Sequence, residues 1–307
     1  MNEVQRMKKG ILHKKINSKI FVMGFRYLIL IGLSFLILYP ILVTLLISVM
    51  NSADFYDSSV RFITKDLTFS NYKNVFILID YFKSLGSTLL LNIPLCILEI
   101  FSCLLVAYGF ARFDFKGRNI LFSCVILTLL IPTQSYFAPL YISFQSWGPF
   151  NWDLLSTPLP MFMLSATGVG LKDGLIIYVM RQHFRSYPKA LEEAALIDGA
   201  DTFKVFTKIM LPGALTIIMT SFLLIFVWKW TDPTYYEIFF PGTEFLSIKM
   251  SSLHSLFEVT SSIRGDYYYR GILQNTAMVL YMLPLLILFM FTKRFIVESI
   301  ETTGLVG

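Results

Sequence analysis

Charge is what this sequence has least of. Asp, Glu, Lys and Arg make up 15% of the 307 residues, while apolar types reach 55%. A soluble globular domain carries about a quarter charged residues, so this deficit argues against one. Cysteine is also scarce. Cys96, Cys103 and Cys124 form no CxxC pair, which leaves no disulfide framework or thiolate metal site to propose. They read as small apolar packing residues inside long hydrophobic stretches. His13, His183 and His254 stand too far apart to suggest a metal-ligand pattern. A phosphate-binding G-x-x-x-x-G-K-[ST] loop is absent. Gly168-Val169-Gly170 has neither its length nor a following Lys-Ser/Thr pair, so no nucleotide or other cofactor is expected in this chain.

What is present is a series of long charge-free runs. None of the four charged types occurs from Tyr27 to Ala53, Asn119 to Trp152, Ile209 to Trp228 or Gly271 to Thr292, and Ser84 to Ala111 is broken only by Glu99. Each run reaches the roughly 20 residues that cross a bilayer as a helix. The runs lack the alternation of barrel strands, and in hydrocarbon only helices or closed barrels satisfy the backbone. The expected fold is therefore all-α and polytopic, with six transmembrane helices at about 24–49, 85–111, 119–141, 160–184, 213–232 and 272–292. The expected organisation is a basic cytoplasmic segment at 1–23, a permeation domain at 24–292 and a cytoplasmic tail at 293–307.

The net charge of +6 is placed as a topology signal rather than a nucleic-acid patch. Arg6, Lys8, Lys9, Lys14, Lys15 and Lys19 precede the first run. Segments expected inside (1–26, 112–118, 181–212, 293–307) hold 17 Lys and Arg, and those expected outside (51–84, 142–157, 234–272) hold 7. The asymmetry supports both termini lying in the cytoplasm. The first run is too long for a signal peptide, and no A-x-A pattern follows it. Pro40, Pro132, Pro139 and Pro284 lie in or beside spans as kinks. Trp147, Trp152, Trp228 and Trp230 fall near span ends, where interfacial anchors collect, though Trp228 and Trp230 could instead stack on a sugar.

Glu99 and Lys172-Asp173 stand out among the charges that fall within the spans. Glu99 reads either as an acid buried at a helix interface or as part of a translocation path, since an intramembrane acid is a functional candidate by default. Lys172-Asp173 reads either as a neutralising pair at a water-facing helix end or as a lining of that path.

The most informative segment is Arg181 to Pro212, RQHFRSYPKALEEAALIDGADTFKVFTKIMLP. Pro188 suits a first helical position, with Ser186 or Tyr187 as cap. Lys189 to Ile197 are mostly good helix formers, and Gly199 sits where a left-handed turn ends a helix. A second helix is expected from about Asp201 to Leu211, with an apolar stripe of Phe203, Phe206 and Met210. Ala194 and Ala195 let another surface approach closely. Glu192, Glu193 and Asp198 offer carboxylates to a basic partner.

Glu193-Ala194-Ala195, three residues, Gly199, nine residues, Ile209, one residue and Leu211-Pro212 resemble the EAA loop of ATP-binding cassette importer permeases. Leu105 to Phe113, Lys116-Gly117-Arg118, Ile131-Pro132, Pro139-Leu140-Tyr141 and Arg294 to Glu298 resemble the maltose-type carbohydrate permeases of that family. The chain departs from the family in its Gly304-Leu305-Val306-Gly307 end, which lacks a lysine, and in Trp228-Lys229-Trp230-Thr231-Asp232-Pro233 where a Trp-Asn pair is common. The resemblance implies a non-enzymatic subunit that pairs with a second permease, a cytoplasmic ATPase dimer holding ATP and magnesium, and an extracytoplasmic solute-binding protein. It also implies that residues 186–212 form the coupling element on the ATPase, and that the cargo is a mono- or oligosaccharide. The same machine carrying a peptide or amino acid is the nearest alternative. A secondary transporter would show internal repeats, and a membrane hydrolase would need a nucleophile and base on facing helices; the sequence displays neither.

Overall fold

The computed structural model describes residues 3–57, 64–170, 172–260 and 266–304, so Leu305, Val306 and Gly307 of the departing tail lie outside the described residues. The described residues are helical, with two isolated antiparallel bridges and no strand. The chain divides into two compact units, Met1–Asn74 with Ile263–Val279, and Val75–Ser262 with Leu280–Gly307.

The first unit is built on α1 (Glu3–Ser48), with the short α2 (Ser52–Tyr56), most of α3 (Ser70–Leu78) and the start of α16 (Tyr267–Gly304). Along α1 the large apolar side chains from Ile20 to Leu46 are largely exposed, as a helix surrounded by lipid or by another apolar chain requires. Its last turn is tied by polar side chains. Asn71 Nδ2 donates to the carbonyls of Ser48 and Met50, both at 3.0 Å, and Thr276 Oγ1 donates to Ser48 at 3.2 Å. These bonds satisfy carbonyls that a helix end leaves without internal partners.

The second unit is organised around α4 (Tyr81–Arg112), which packs against α7 (Leu159–Thr167), α8 (Asp173–Ser186) and α12 (Leu215–Thr231). An apolar cluster joins Leu95 of α4 and Met161 and Leu164 of α7 to aromatic side chains of α6 (Gln134–Gln145) and α13 (Thr234–Phe239), among them Phe137, Tyr235, Tyr236 and Phe239. The remaining helices are α5 (Arg118–Leu127), α9 (Lys189–Ile197), α10 (Thr202–Val205), α11 (Leu211–Gly213), α14 (Leu246–Ser251) and α15 (Leu253–Val259).

Three helices are long and apolar enough to cross a membrane without interruption: Lys19–Ser48, Tyr81–Arg112 and Tyr267–Val297. They coincide with the first, second and sixth expected spans. The fifth is α12, entered through a 71° bend from Thr202–Gly213. The third and fourth expected spans are not continuous helices. The third is α5 and α6, parted at 128–133 around Pro132, which has no N–H to give a helix. The fourth is α7 and α8, parted where Gly168 (φ 69°) and Lys172 (φ 61°) turn left-handed. Neither end of the expected permeation domain is marked by a break, since α1 runs through residue 23 and α16 through residue 292.

Two side-chain expectations are corrected. Trp230 is not an interfacial anchor: it is fully buried, stacked on Phe226 with ring centroids 5.5 Å apart. Cys96 and Cys103 are buried as expected, but Cys124 is exposed on α5.

Candidate functional site

The centre of the second unit holds an ion pair that the sequence reading half found. Glu99 projects from α4 into the packing with α7 and α12, and its Oε2 lies 2.6 Å from Nζ of Lys229, with side chains 0% and 1% exposed. Ser165 of α7 completes a triangle, donating from Oγ to Glu99 Oε2 at 3.3 Å and standing 3.4 Å from Lys229 Nζ. Of the two readings of Glu99, the geometry matches a buried acid at a helix interface, paired with the Ser165 hydroxyl and, in addition, with a cation. Burying both charges strips their water, and only mutual attraction and added hydrogen bonds offset that cost.

A second carboxylate lies close by. Asp173 is the first residue of α8, buried, and its Oδ2 accepts the Gly170 N–H at 2.5 Å. A Cβ on Gly170 would lie 2.8 Å from Cδ of Glu99 and 3.0 Å from Oδ2 of Asp173, so only glycine fits between them. Among the described buried polar atoms of this cluster, Glu99 Oε1, Asp173 Oδ1 and the Tyr235 hydroxyl have no hydrogen-bond partner. Lys172 and Asp173 do not form the expected pair. The left-handed backbone at Lys172 separates them, and the Lys172 ammonium sits 4.7 Å from the ring centroid of Trp228.

The two helix interruptions, 128–133 and 168–172, line the same cavity of about 710 Å³. Its polar lining includes Thr128, Gln134, Tyr136, Lys172 and Asp173, among apolar side chains such as Leu129 and Leu140. That volume falls within the usual range for small-molecule pockets.

At residues 181–212 the chain forms a helix, a turn and a second helical stretch. Pro188 is the residue before α9 rather than its first, with extended ψ of 122°, and neither Ser186 nor Tyr187 caps it. Ser186 Oγ donates instead to the carbonyl of His183. Gly199 has φ 84° and closes α9, placing the Ala200 N–H on the Ala195 carbonyl at 2.9 Å. Asp201 caps α10 by accepting from the Lys204 N–H at 2.8 Å. The second helix is not one α-helix to Leu211. Residues 206–210 form a π-turn, in which Leu211 N–H reaches back to Phe206, and Pro212 follows with no N–H to donate. The expected stripe also splits. Phe206 and Met210 are buried, while Phe203 is 72% exposed.

Of the residues expected to meet a partner, Glu193, Ala194, Asp198, Gly199 and Pro212 are exposed, and Ala195, Ile209 and Leu211 are half-buried. Glu192 is engaged within the chain. Its Oε1 lies 2.6 Å from Arg112 at the end of α4, and Arg112 also donates to the Tyr187 carbonyl at 2.9 Å. Burial raises the Glu192 carboxyl above its ordinary pKa, with the Arg112 guanidinium opposing that rise.

Sequence reasoning missed Lys229, Ser165 and Arg112 as site residues. The signal for Lys229 was present. A lone lysine in an apolar helix demands an acid, and Glu99 is the lone acid of another. The charge-free run ends at Trp228, but the expected span at 213–232 encloses Lys229, which therefore belongs with the intramembrane charges.

Comparison with known proteins agrees with this architecture. A "Probable ABC transporter permease protein" of Pyrococcus horikoshii is 31% identical over 227 residues, 73% of this chain and 74% of that protein. The arabinooligosaccharides transport system permease protein of Bacillus subtilis is 27% identical over 281 residues, covering 90% and 92% of the two chains. For two further relatives the aligned region spans 65% and 66% of their own length. A crystal structure of a bacterial ABC transporter involved in import of the acidic polysaccharide alginate superposes with TM-score 0.70 at 19% identity, over 89% of this chain and 96% of that one, so the fold is shared. The profile of one family matches residues 100–302, two thirds of the sequence, and this chain belongs to that family, the binding-protein-dependent transport system inner membrane components.

Proposed function

We propose that the chain is the membrane-spanning permease subunit of an ATP-driven, binding-protein-dependent importer of mono- or oligosaccharides. It crosses the membrane six times with both termini cytoplasmic, the two broken helix pairs each making one crossing. A second permease completes the path, an ATPase dimer holds ATP and magnesium, and an extracytoplasmic solute-binding protein delivers cargo. Sugar as cargo is supported by relatives named for arabinooligosaccharides, maltodextrin, alpha-glucoside and trehalose.

The observation that carries the coupling role is the exposed face around Gly199. Leu191, Leu196, Ile197 and Phe203 are all exposed there, Ile197 by 86%, beside the free carboxylates of Glu193 and Asp198. An apolar patch ringed by charge is the usual mark of a docking site. In this reading Glu193 meets a basic residue of the ATPase, and Glu192 shapes the docking helix from behind. The cavity between the helix interruptions is the candidate path. Lys172 and Asp173 line it, the Trp228 ring lies against the Lys172 ammonium, and Glu99 holds the wall behind Gly170.

The test is a purified assembly with Glu193→Lys or Gly199→Val. Both residues lie outside the apolar spans, so the chain should reach the membrane. Valine at φ 84° strains the turn by about 1–3 kcal/mol. Loss of the ATPase on pull-down is expected from each; normal retention and normal hydrolysis in both would remove the coupling role. Uptake measured with maltodextrin, arabino-oligosaccharide, trehalose and a dipeptide reads the cargo. Uptake of the dipeptide alone would make this a peptide importer of the same construction.

A further inference from the structure

The docking helix α9 has a weak hold on the rest of the molecule. None of its nine residues is buried, so no apolar core of its own keeps it in place. Chain connections secure it at both ends, through Pro188 and through the Gly199 turn. Between those ends its anchor is Arg112. One guanidinium nitrogen serves both the Glu192 carboxylate within α9 and the Tyr187 carbonyl just before it. The contact is well shielded, with the Arg112 and Glu192 side chains 6% and 14% exposed. The contact with Glu192 is a close ion pair, with Glu192 Oε1 and Arg112 Nε left without hydrogen-bond partners, so charge attraction and the Tyr187 hydrogen bond together hold the helix.

Arg112 also has a particular address. It is the last residue of α4, where a cation is favoured by the helix dipole. Thirteen residues earlier on that helix, about 20 Å along the axis, Glu99 grips Lys229 of α12 and abuts the α7–α8 turn at the cavity. A rigid helix clamped by ion pairs at both places can carry displacement from one to the other.

We propose that Arg112 is a positioning residue for energy coupling, fastening the docking helix to α4 so that its movement on the ATPase reaches the buried Glu99–Lys229 pair and the cavity wall. Arg112 touches neither cargo nor nucleotide. This inference rests on the proposed docking role of residues 186–212, and the experiment separates the two.

Assemblies carrying Arg112→Gln, Glu192→Gln or both are compared with Glu193→Lys for ATPase retention and for hydrolysis of ATP with and without the solute-binding protein, charged with whichever sugar the uptake panel identifies. Glu192→Gln reads the contact from the other side should Arg112→Gln fail to fold. The expected result is retention of the ATPase in all three clamp variants. The ratio of stimulated to unstimulated hydrolysis should fall about tenfold, within the usual span of coupling energies. The double variant should be no worse than the more damaging single one, because the two residues form one contact. A clamp that merely stabilises the fold would lower retention together with stimulation, and that outcome overturns the inference. So does an unchanged ratio in Glu192→Gln, or full additivity in the double variant. If Glu193→Lys retains the ATPase and stimulates normally, the docking reading itself falls.

Discussion

Helix α4 makes ion pairs to three distant parts of the chain, and the comparison between its middle and its ends separates what ion pairs do. At the first turn Lys83 reaches Glu244 at 2.9 Å, with side chains 65% and 41% exposed. In the middle Glu99 and Lys229 are sealed from solvent, and at the last residue Arg112 and Glu192 are nearly so. The same chemistry is worth little at the first site because water and salt screen it. At the second the individual charges cannot be removed one at a time without leaving the other stranded. The third combines shelter with a partner helix that has no buried residue of its own, which is the basis of the coupling role proposed for it.

The sharpest way to break this ordering is Lys229→Met. It leaves Glu99 and Asp173 facing each other with no cation, and the assembly should lose about 3–5 kcal/mol of stability. Glu99→Gln should cost less, because Asp173 remains as a counter-charge for Lys229. The pair Glu99→Gln with Lys229→Met should recover much of the loss. Thermal unfolding of the purified assembly in detergent checks all three, and equal losses in the two single variants would remove Asp173 from the cluster.

Next in size is Gly170→Ala. One methyl group there meets the carboxyl of Glu99 at 2.8 Å, and overpacking of that kind costs about 1–3 kcal/mol. The same unfolding measurement reads it, and an unchanged midpoint would mean that the turn at 168–172 gives way freely.

The smallest effects concern acid. Glu244 is held below its ordinary value of 4.5 by Lys83 and Lys249, so its contribution is present above that value and is lost as pH falls through the depressed one. Glu192 is shifted the other way. Being raised by burial, it takes up its proton at a higher pH than an ordinary glutamate and then releases Arg112. Lowering pH should therefore erode binding-protein-stimulated hydrolysis before it loosens the Lys83–Glu244 contact, and Glu192→Gln should flatten the first effect. The pH dependence of thermal unfolding, compared between the chain and its Lys83→Gln variant, reports the second. Reversal of this order would contradict the shelter assigned to each pair.

Much of this architecture was legible in the sequence because bilayer solvation is severe. Charge-free runs of span length read as helical, although two of them break, and Gly199 marked the turn that closes α9, since glycine takes φ 84° at little steric cost. Periodicity also marked Phe206 and Met210 as inward-facing. It failed at Phe203, which lies exposed in the four-residue α10 ahead of the π-turn.

The tertiary structure alone decided who pairs with whom. Glu99 could be read as paired or path-lining, Lys172-Asp173 as a couple and Glu192 as bait for a partner, because sequence gives each charge but not its neighbours. The pairings join residues 66, 75, 80 and 130 positions apart, Ser165 and Glu99, Arg112 and Tyr187, Arg112 and Glu192, Lys229 and Glu99. Apolar runs determine that helices cross a membrane through the solvation of each helix by itself. Which acid faces which base depends on how those helices rotate and break against one another, and that is fixed only when they pack.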